Sequence, residues 1–146
     1  MATAFFAGSF NPFTRGHASI VARALPLFDS IIIGIGVNAE KPDSADEGES
    51  RAEAIRALYA EEPRVRVVVY DTLTVDAARR AGATVLLRGV RSVADFEYER
   101  TMAALNRRIG DMETLLLFAE PDLECVSSSI VRELQSYGRD VSDFLP

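Results

Sequence analysis

His17 is the only histidine among 146 residues, and it closes the run GSFNPFTRGH at positions 8–17. That run joins an apolar stretch to one of helical character. It mixes turn formers (Gly8, Asn11, Pro12, Gly16) with hydrogen-bond donors (Ser9, Thr14, His17). Further along, RGVR at 88–91 sets Arg88 and Arg91 around Gly89 and Val90, and SSS at 127–129 sets three hydroxyls ahead of an apolar helical stretch. Lys41 follows another apolar run. Hydroxyls, cations, one imidazole and helix starts with unpaired N–H groups form a set suited to binding a small polyanion such as a phosphate-bearing ligand.

Taken singly, each residue has a plainer reading. A histidine or a serine run at a helix start is commonly a cap, Lys41, Arg88 and Arg91 are ordinary surface charges, and Cys125 is an inert buried thiol. The acidic run at 43–49 is a solvated loop. Their convergence on one sheet edge is what favours a site.

Five short apolar runs predict strands at 3–7, 30–36, 65–70, 84–89 and 114–119. Each is continuously apolar, as strands covered on both faces are. Helical segments are predicted between them at 16–25, 50–60, 74–81, 92–109 and 128–137. In the fourth, Tyr98, Met102, Leu105 and Ile109 share one face, and Ser92 with Asp95 forms a capping signal. This alternation predicts a single α/β domain over 1–146, a Rossmann-like, doubly wound, five-stranded parallel sheet with helices on both faces. In such sheets ligands bind beyond the carboxyl ends of the strands. Four loops, after the first, second, fourth and fifth strands, are expected to open there. The stretch 40–54, acidic and rich in small residues, is expected to be an exposed loop.

Composition narrows the function classes. With 48% apolar residues the chain can bury a core, and a net charge of -6 without a basic stripe argues against nucleic acid as partner. One cysteine allows no internal disulfide and no thiolate metal cluster, so no metal-ligating residue is singled out and a reducing, cytoplasmic setting is expected. No 18-residue apolar run or basic leader predicts a membrane span or a signal peptide.

GSFNPFTRGH resembles the (T/H)xGH signature of the nucleotidyltransferase superfamily, and SSSIVRE resembles its second signature. With RGVRSVADFEYE at 88–99 and GRDVSDFLP at 138–146, the chain is similar to the phosphopantetheine adenylyltransferases over nearly its whole length. That resemblance implies adenylyl transfer from ATP to 4′-phosphopantetheine, giving dephospho-coenzyme A and pyrophosphate, with Mg²⁺ and a homohexamer. It implies that Thr14 and His17 meet the ATP phosphates and that Ser9 and Phe10 contact substrates. It places Lys41 and Arg88 on the acceptor phosphate, with Thr74 beside the pantetheine arm. Gly89, Val90, Arg91 and Glu99 would line the ATP site, closed by Leu123, Glu124, Cys125, Val126, Ser127, Ser128 and Ser129. His17, Thr14, Lys41 and Arg91 would be the catalytic set.

The chemistry has a physical logic of its own. A phosphate monoester has a second pKa of about 6, so the acceptor is already a dianionic nucleophile and needs no general base. Charge repulsion is the barrier, and positioned donors and cations lower it. The family's pattern is not followed everywhere. KPDSADEGESRAEAI after the second strand carries an acidic run in place of an aromatic, and LECV lacks the aromatic common there. A related nucleotidyltransferase with another acceptor, or a noncatalytic nucleotide-binding protein, are the competing readings.

Overall fold

The computed structural model describes residues 2–146. Five strands, β1 (Thr3–Gly8), β2 (Ser30–Gly36), β3 (Val65–Tyr70), β4 (Val85–Val90) and β5 (Glu113–Phe118), form one parallel sheet in the order β3-β2-β1-β4-β5. Helices α1 (Arg15–Ala24), α2 (Ser44–Leu58), α3 (Thr74–Arg80) and α4 (Val93–Gly110) are the crossovers, and α5 (Ser128–Ser136) follows β5. The fold is the doubly wound α/β sheet predicted.

Alternating side chains of the strands feed two cores. Ala4, Phe6, Ile31, Ile33, Ile35 and Leu87 pack with Val21, Ala52 and Ile55 of α1 and α2 on one face. Phe5, Ala7, Ile32 and Leu86 pack with Val75, Ala77 and Ala78 of α3 on the other. The continuous apolarity of the runs follows, because both parities are buried. Gly34 sits where a Cβ would lie 2.2 Å from the Phe5 ring, so the central strands admit that ring only over a glycine.

One expectation is corrected. Residues 44–54 are not a loop but the first part of α2. Gly48, Ala52 and Ile55 are buried at helical spacing, and a Cβ on Gly48 would come within 2.6 Å of Val37. The small residues are a close-packing face, and Asp46 and Glu47 sit in the first turn, where the helix dipole favours acids. In α4 the helix is present and Ser92 caps it, accepting from the Asp95 N–H at 3.2 Å. Its apolar face is not core, however. Tyr98, Leu105 and Ile109 are 60%, 45% and 50% exposed, and the buried residue of the helix is Glu99.

Candidate functional site

The connection leaving β1 passes over one face of the sheet and that leaving β4 over the other, so a crevice opens between their carboxyl ends. A cavity of about 370 Å³ fills it. Gly8, Ser9, Phe10, Thr14 and His17 come from the β1–α1 segment, Arg88 to Arg91 from the end of β4, and Leu123, Val126 and Ser127 to Ser129 from the approach to α5.

Thr14 is the N-cap of α1, and its hydroxyl accepts from the His17 N–H at 3.3 Å. The His17 Nδ1 in return accepts from the Thr14 N–H at 2.9 Å, which closes a reciprocal capping box. With Nδ1 used as an acceptor, the ring proton resides on Nε2, leaving that N–H as the donor available to a ligand. The rings of Phe10, Phe13 and Phe6 stand 4.9, 5.4 and 6.2 Å from the imidazole. Burial, with the nearby Arg88 and Arg91 charges adding to it, holds the His17 pKa down to about 4. The imidazole is therefore neutral at physiological pH, a hydrogen-bond donor rather than a proton carrier.

Arg88 is not a loose cation. Its Nε lies 2.9 and 3.0 Å from the two Glu99 oxygens, its Nη2 donates to Glu99 at 2.7 Å, and its Nη1 donates to the Ala7 carbonyl. Glu99 is 5% exposed, so the pair is fixed from inside the fold. Arg91 is held more loosely: its Nε lies 3.4 Å from Asp95 at the mouth of the cavity.

At α5, Ser127 is the N-cap, accepting from the Ile130 N–H at 3.1 Å. The N–H groups of Ser128 and Ser129, in the first turn, have no intrahelical acceptor, and both residues line the cavity. Electropositive helix start, two arginines and the His17 donor thus face one space.

A second cavity, of about 140 Å³, lies against the first on the α3 and α4 side of the sheet. Ala7, Gly8, Arg88, Tyr98 and Glu99 border both. Its other walls include Tyr70, Thr74, Met102, Asn106 and Thr114, with the Tyr70 and Thr74 hydroxyls 2.9 Å apart. Sequence reasoning missed Tyr98, Asn106 and Asp95. Tyr98 was read only as part of one helix face, and nothing local in the sequence separates a cavity-lining face of a helix from a packed one.

Three expected residues lie elsewhere. Lys41 is exposed in a separate cleft with Asp43, Asp46 and Asp71, because the loop after β2 lies on the far side of β1 from the crevice. Three of the four loops therefore meet, not four. Glu124 and Cys125 are exposed and do not line the cavity, although their neighbours Leu123 and Val126 do. The Cys125 thiol is thus not buried. Among the described residues no three acidic, histidine or cysteine side chains converge to hold a metal ion, and no helix is long and apolar enough to cross a membrane.

Comparison with known proteins agrees with this geometry. Residues 5–134 match the cytidylyltransferase-like family. The chain is 52% identical over 146 residues to a phosphopantetheine adenylyltransferase of Bacteroides thetaiotaomicron, covering 100% of this chain and 96% of that protein. It is 55% identical over 143 residues to one of Porphyromonas gingivalis, covering 98% and 93%. Among solved structures, a bifunctional NMN adenylyltransferase/ADP ribose pyrophosphatase from Francisella tularensis superposes with a TM-score of 0.70 at 15% identity. That match covers 99% of this chain and 44% of the larger one, and it speaks to the fold alone. The chain belongs to the cytidylyltransferase-like family and, within it, to the phosphopantetheine adenylyltransferases.

Proposed function

We propose that this protein transfers the adenylyl group of ATP to 4′-phosphopantetheine, giving dephospho-coenzyme A and pyrophosphate. The observation that carries the reading is the meeting of two cavities at Arg88. The larger has a helix start, Arg91 and the His17 donor for a triphosphate, and the smaller is slim and partly apolar, as an acceptor arm requires. Its size suits a chain better than a second base and ribose.

In this arrangement the acceptor phosphate enters beside Arg88, which retains an unassigned N–H on each terminal nitrogen. The dianion attacks the α-phosphorus in line, and the bond to the β-phosphate oxygen breaks. His17 Nε2–H donates to the α-phosphate oxygens as they gain charge, and its low pKa keeps it a neutral donor throughout. Arg91 and the Ser128 and Ser129 N–H groups meet the departing pyrophosphate. Ser9 and Phe10 line the larger cavity next to Gly8, which borders both, and Thr14 acts through His17 as its capping partner. Gly89, Val90, Leu123 and Val126 wall the nucleotide side. Lys41 forms no ion pair among the described residues, and its share in holding the acceptor phosphate rests on the family resemblance alone, since it stands in the neighbouring cleft. The two carboxylates that line the cavity, Asp95 and Glu99, are engaged by arginines and leave the metal to be held by the phosphates. Mg²⁺ enters with the triphosphate, as part of the Mg·ATP substrate.

The protein acts as a homo-oligomer in the cytoplasm on this reading, with six copies by family resemblance. The outward apolar residues of α4 and the edge strand β5, Leu105, Ile109, Leu115 and Phe118, give that assembly its surface. The single exposed cysteine fits a reducing compartment.

The test is pyrophosphate release from Mg·ATP with 4′-phosphopantetheine, nicotinamide mononucleotide or glycerol 3-phosphate as acceptor. Release with 4′-phosphopantetheine alone is expected. Release with another acceptor, or none from a folded protein that binds ATP, overturns the reading.

A further inference from the structure

The turn between β1 and α1 is held from outside itself. Phe10 has φ 48, in the left-handed region that bulky side chains rarely adopt, so surrounding contacts must impose it. Among the described residues, the turn 10–13 makes two hydrogen bonds to the rest of the fold, and both come from α5. The Ser128 hydroxyl donates to the Pro12 carbonyl at 2.7 Å, and Arg132 Nη1 donates to the Asn11 carbonyl at 2.6 Å. Arg132 Nη2 also donates to the Ser129 hydroxyl at 3.3 Å, which fixes its fork against the helix start. Arg132 does not line the cavity, so its reach is toward the turn and not toward a bound phosphate.

The turn in question carries Phe10 and Phe13, the two rings nearest the imidazole, and both are buried. We propose that Ser128 and Arg132 are positioning residues that clamp the Asn11 and Pro12 carbonyls and so keep the Phe10–Phe13 turn closed over His17. The second signature segment then serves the first: α5 presents its N–H groups to the ligand while its side chains hold the loop that aims the imidazole. Loosening the clamp wets the ring and lets its donor wander. Misplacement of about 1 Å suffices to cost on the order of 100-fold in turnover.

A single histidine makes the test direct, because its ring protons are the only imidazole signals in the proton NMR spectrum of the full chain. The groups whose charge bears on it are Arg88 and Arg91, both untouched by the variants. In Arg132→Ala and Ser128→Ala the titration midpoint is expected to rise from about 4 toward the ordinary 6.5 as the ring becomes solvated. The kinetic arm, which rests on the adenylyl transfer proposed above, expects kcat about 10- to 100-fold lower with the ATP KM changed little. Arg132→Lys, which keeps one donor, recovers most of both. If Arg132→Ala does not fold, Ser128→Ala and Arg132→Lys carry the comparison. A midpoint unchanged in folded Arg132→Ala and Ser128→Ala overturns the clamp. So does a raised ATP KM with kcat intact in Arg132→Ala, which makes Arg132 a nucleotide contact. The titration needs no turnover, so a failed assay with unmodified protein discards the reaction and leaves the clamp standing on the titration.

Discussion

The same carboxyl edge of the sheet ends in a cavity of about 370 Å³ between β1 and β4 and in a cleft of about 290 Å³ beyond β2 and β3. The first gathers Arg88, Arg91, the His17 donor and a helix start, and its two carboxylates are each tied to an arginine. The second holds Lys41 among Asp43, Asp46 and Asp71. Topology separates them. The direction in which successive strands are added reverses between β1 and β4, so connections diverge and leave a crevice, whereas β2 and β3 are joined by α2, which packs tightly across both. Charge alone does not make a site on such an edge: position relative to the reversal decides which charges can meet a ligand from several sides.

The largest effect that would sharpen this contrast comes from the crevice. His17→Ala is expected to lower kcat by about 10² to 10³, the size of one lost transition-state donor, with a smaller change in KM. Steady-state kinetics reads it, and full kcat retention removes His17 from the chemistry. The same residue links stability to pH. Its native pKa of about 4 lies below the ordinary 6.5, so between those values the unfolded chain binds a proton that the native chain does not. Stability is expected to be unaffected above 6.5 and to fall as pH drops from there through 4. Denaturation of His17→Gln beside the unmodified chain isolates this component from the carboxylates.

In the second region, beyond β2 and β3, the expected injury is to stability and not to turnover. Gly48→Ala pushes a Cβ to within 2.6 Å of Val37 and 3.0 Å of Val69 and is expected to destabilise by about 1 to 3 kcal/mol. Urea unfolding measures it, with kcat of the folded fraction unchanged. Lys41→Ala comes next, at about tenfold in kcat/KM for the acceptor, the worth of one charged hydrogen bond, with the ATP KM constant. No change at all would make the second cleft a bystander. Cys125→Ser is the smallest, less than about twofold in any parameter, because the thiol is exposed and off the cavity. A large loss there would mean that the 121–126 segment closes over the nucleotide.

Much of this architecture was legible in residue order. The strand SIIIGIG falls where β2 is, because a strand buried on both faces writes itself as an unbroken apolar run, whereas the edge strand β3, VRVVVY, shows its open face through the exposed Arg66. His17, Ser127 and the arginines of RGVR were legible as helix-start and strand-end chemistry. What escaped was sidedness. Small residues at 44–54 look alike in a loop and in a helix packed through Gly48, and only the neighbouring Val37 and Val69 distinguish them. The stripe of Tyr98, Leu105 and Ile109 has the period of a core face, yet Leu105 and Ile109 are exposed, Tyr98 borders the cavities and the buried residue is Glu99. Periodicity reports that a face is apolar, not what it faces. Lys41 escaped for a third reason, since its distance from the crevice depends on strand order, which no local pattern encodes.

The capping box at the start of α1 gives one side chain two duties. His17 is at once punctuation for the helix and the donor aimed at the ligand, so alanine removes both and reports their sum. A glutamine keeps an acceptor for the Thr14 N–H, as glutamine does at this position in ordinary capping boxes. It is therefore the quieter inert stand-in: a chain silenced in its chemistry but still spelled as the same helix, fit for trapping both substrates side by side.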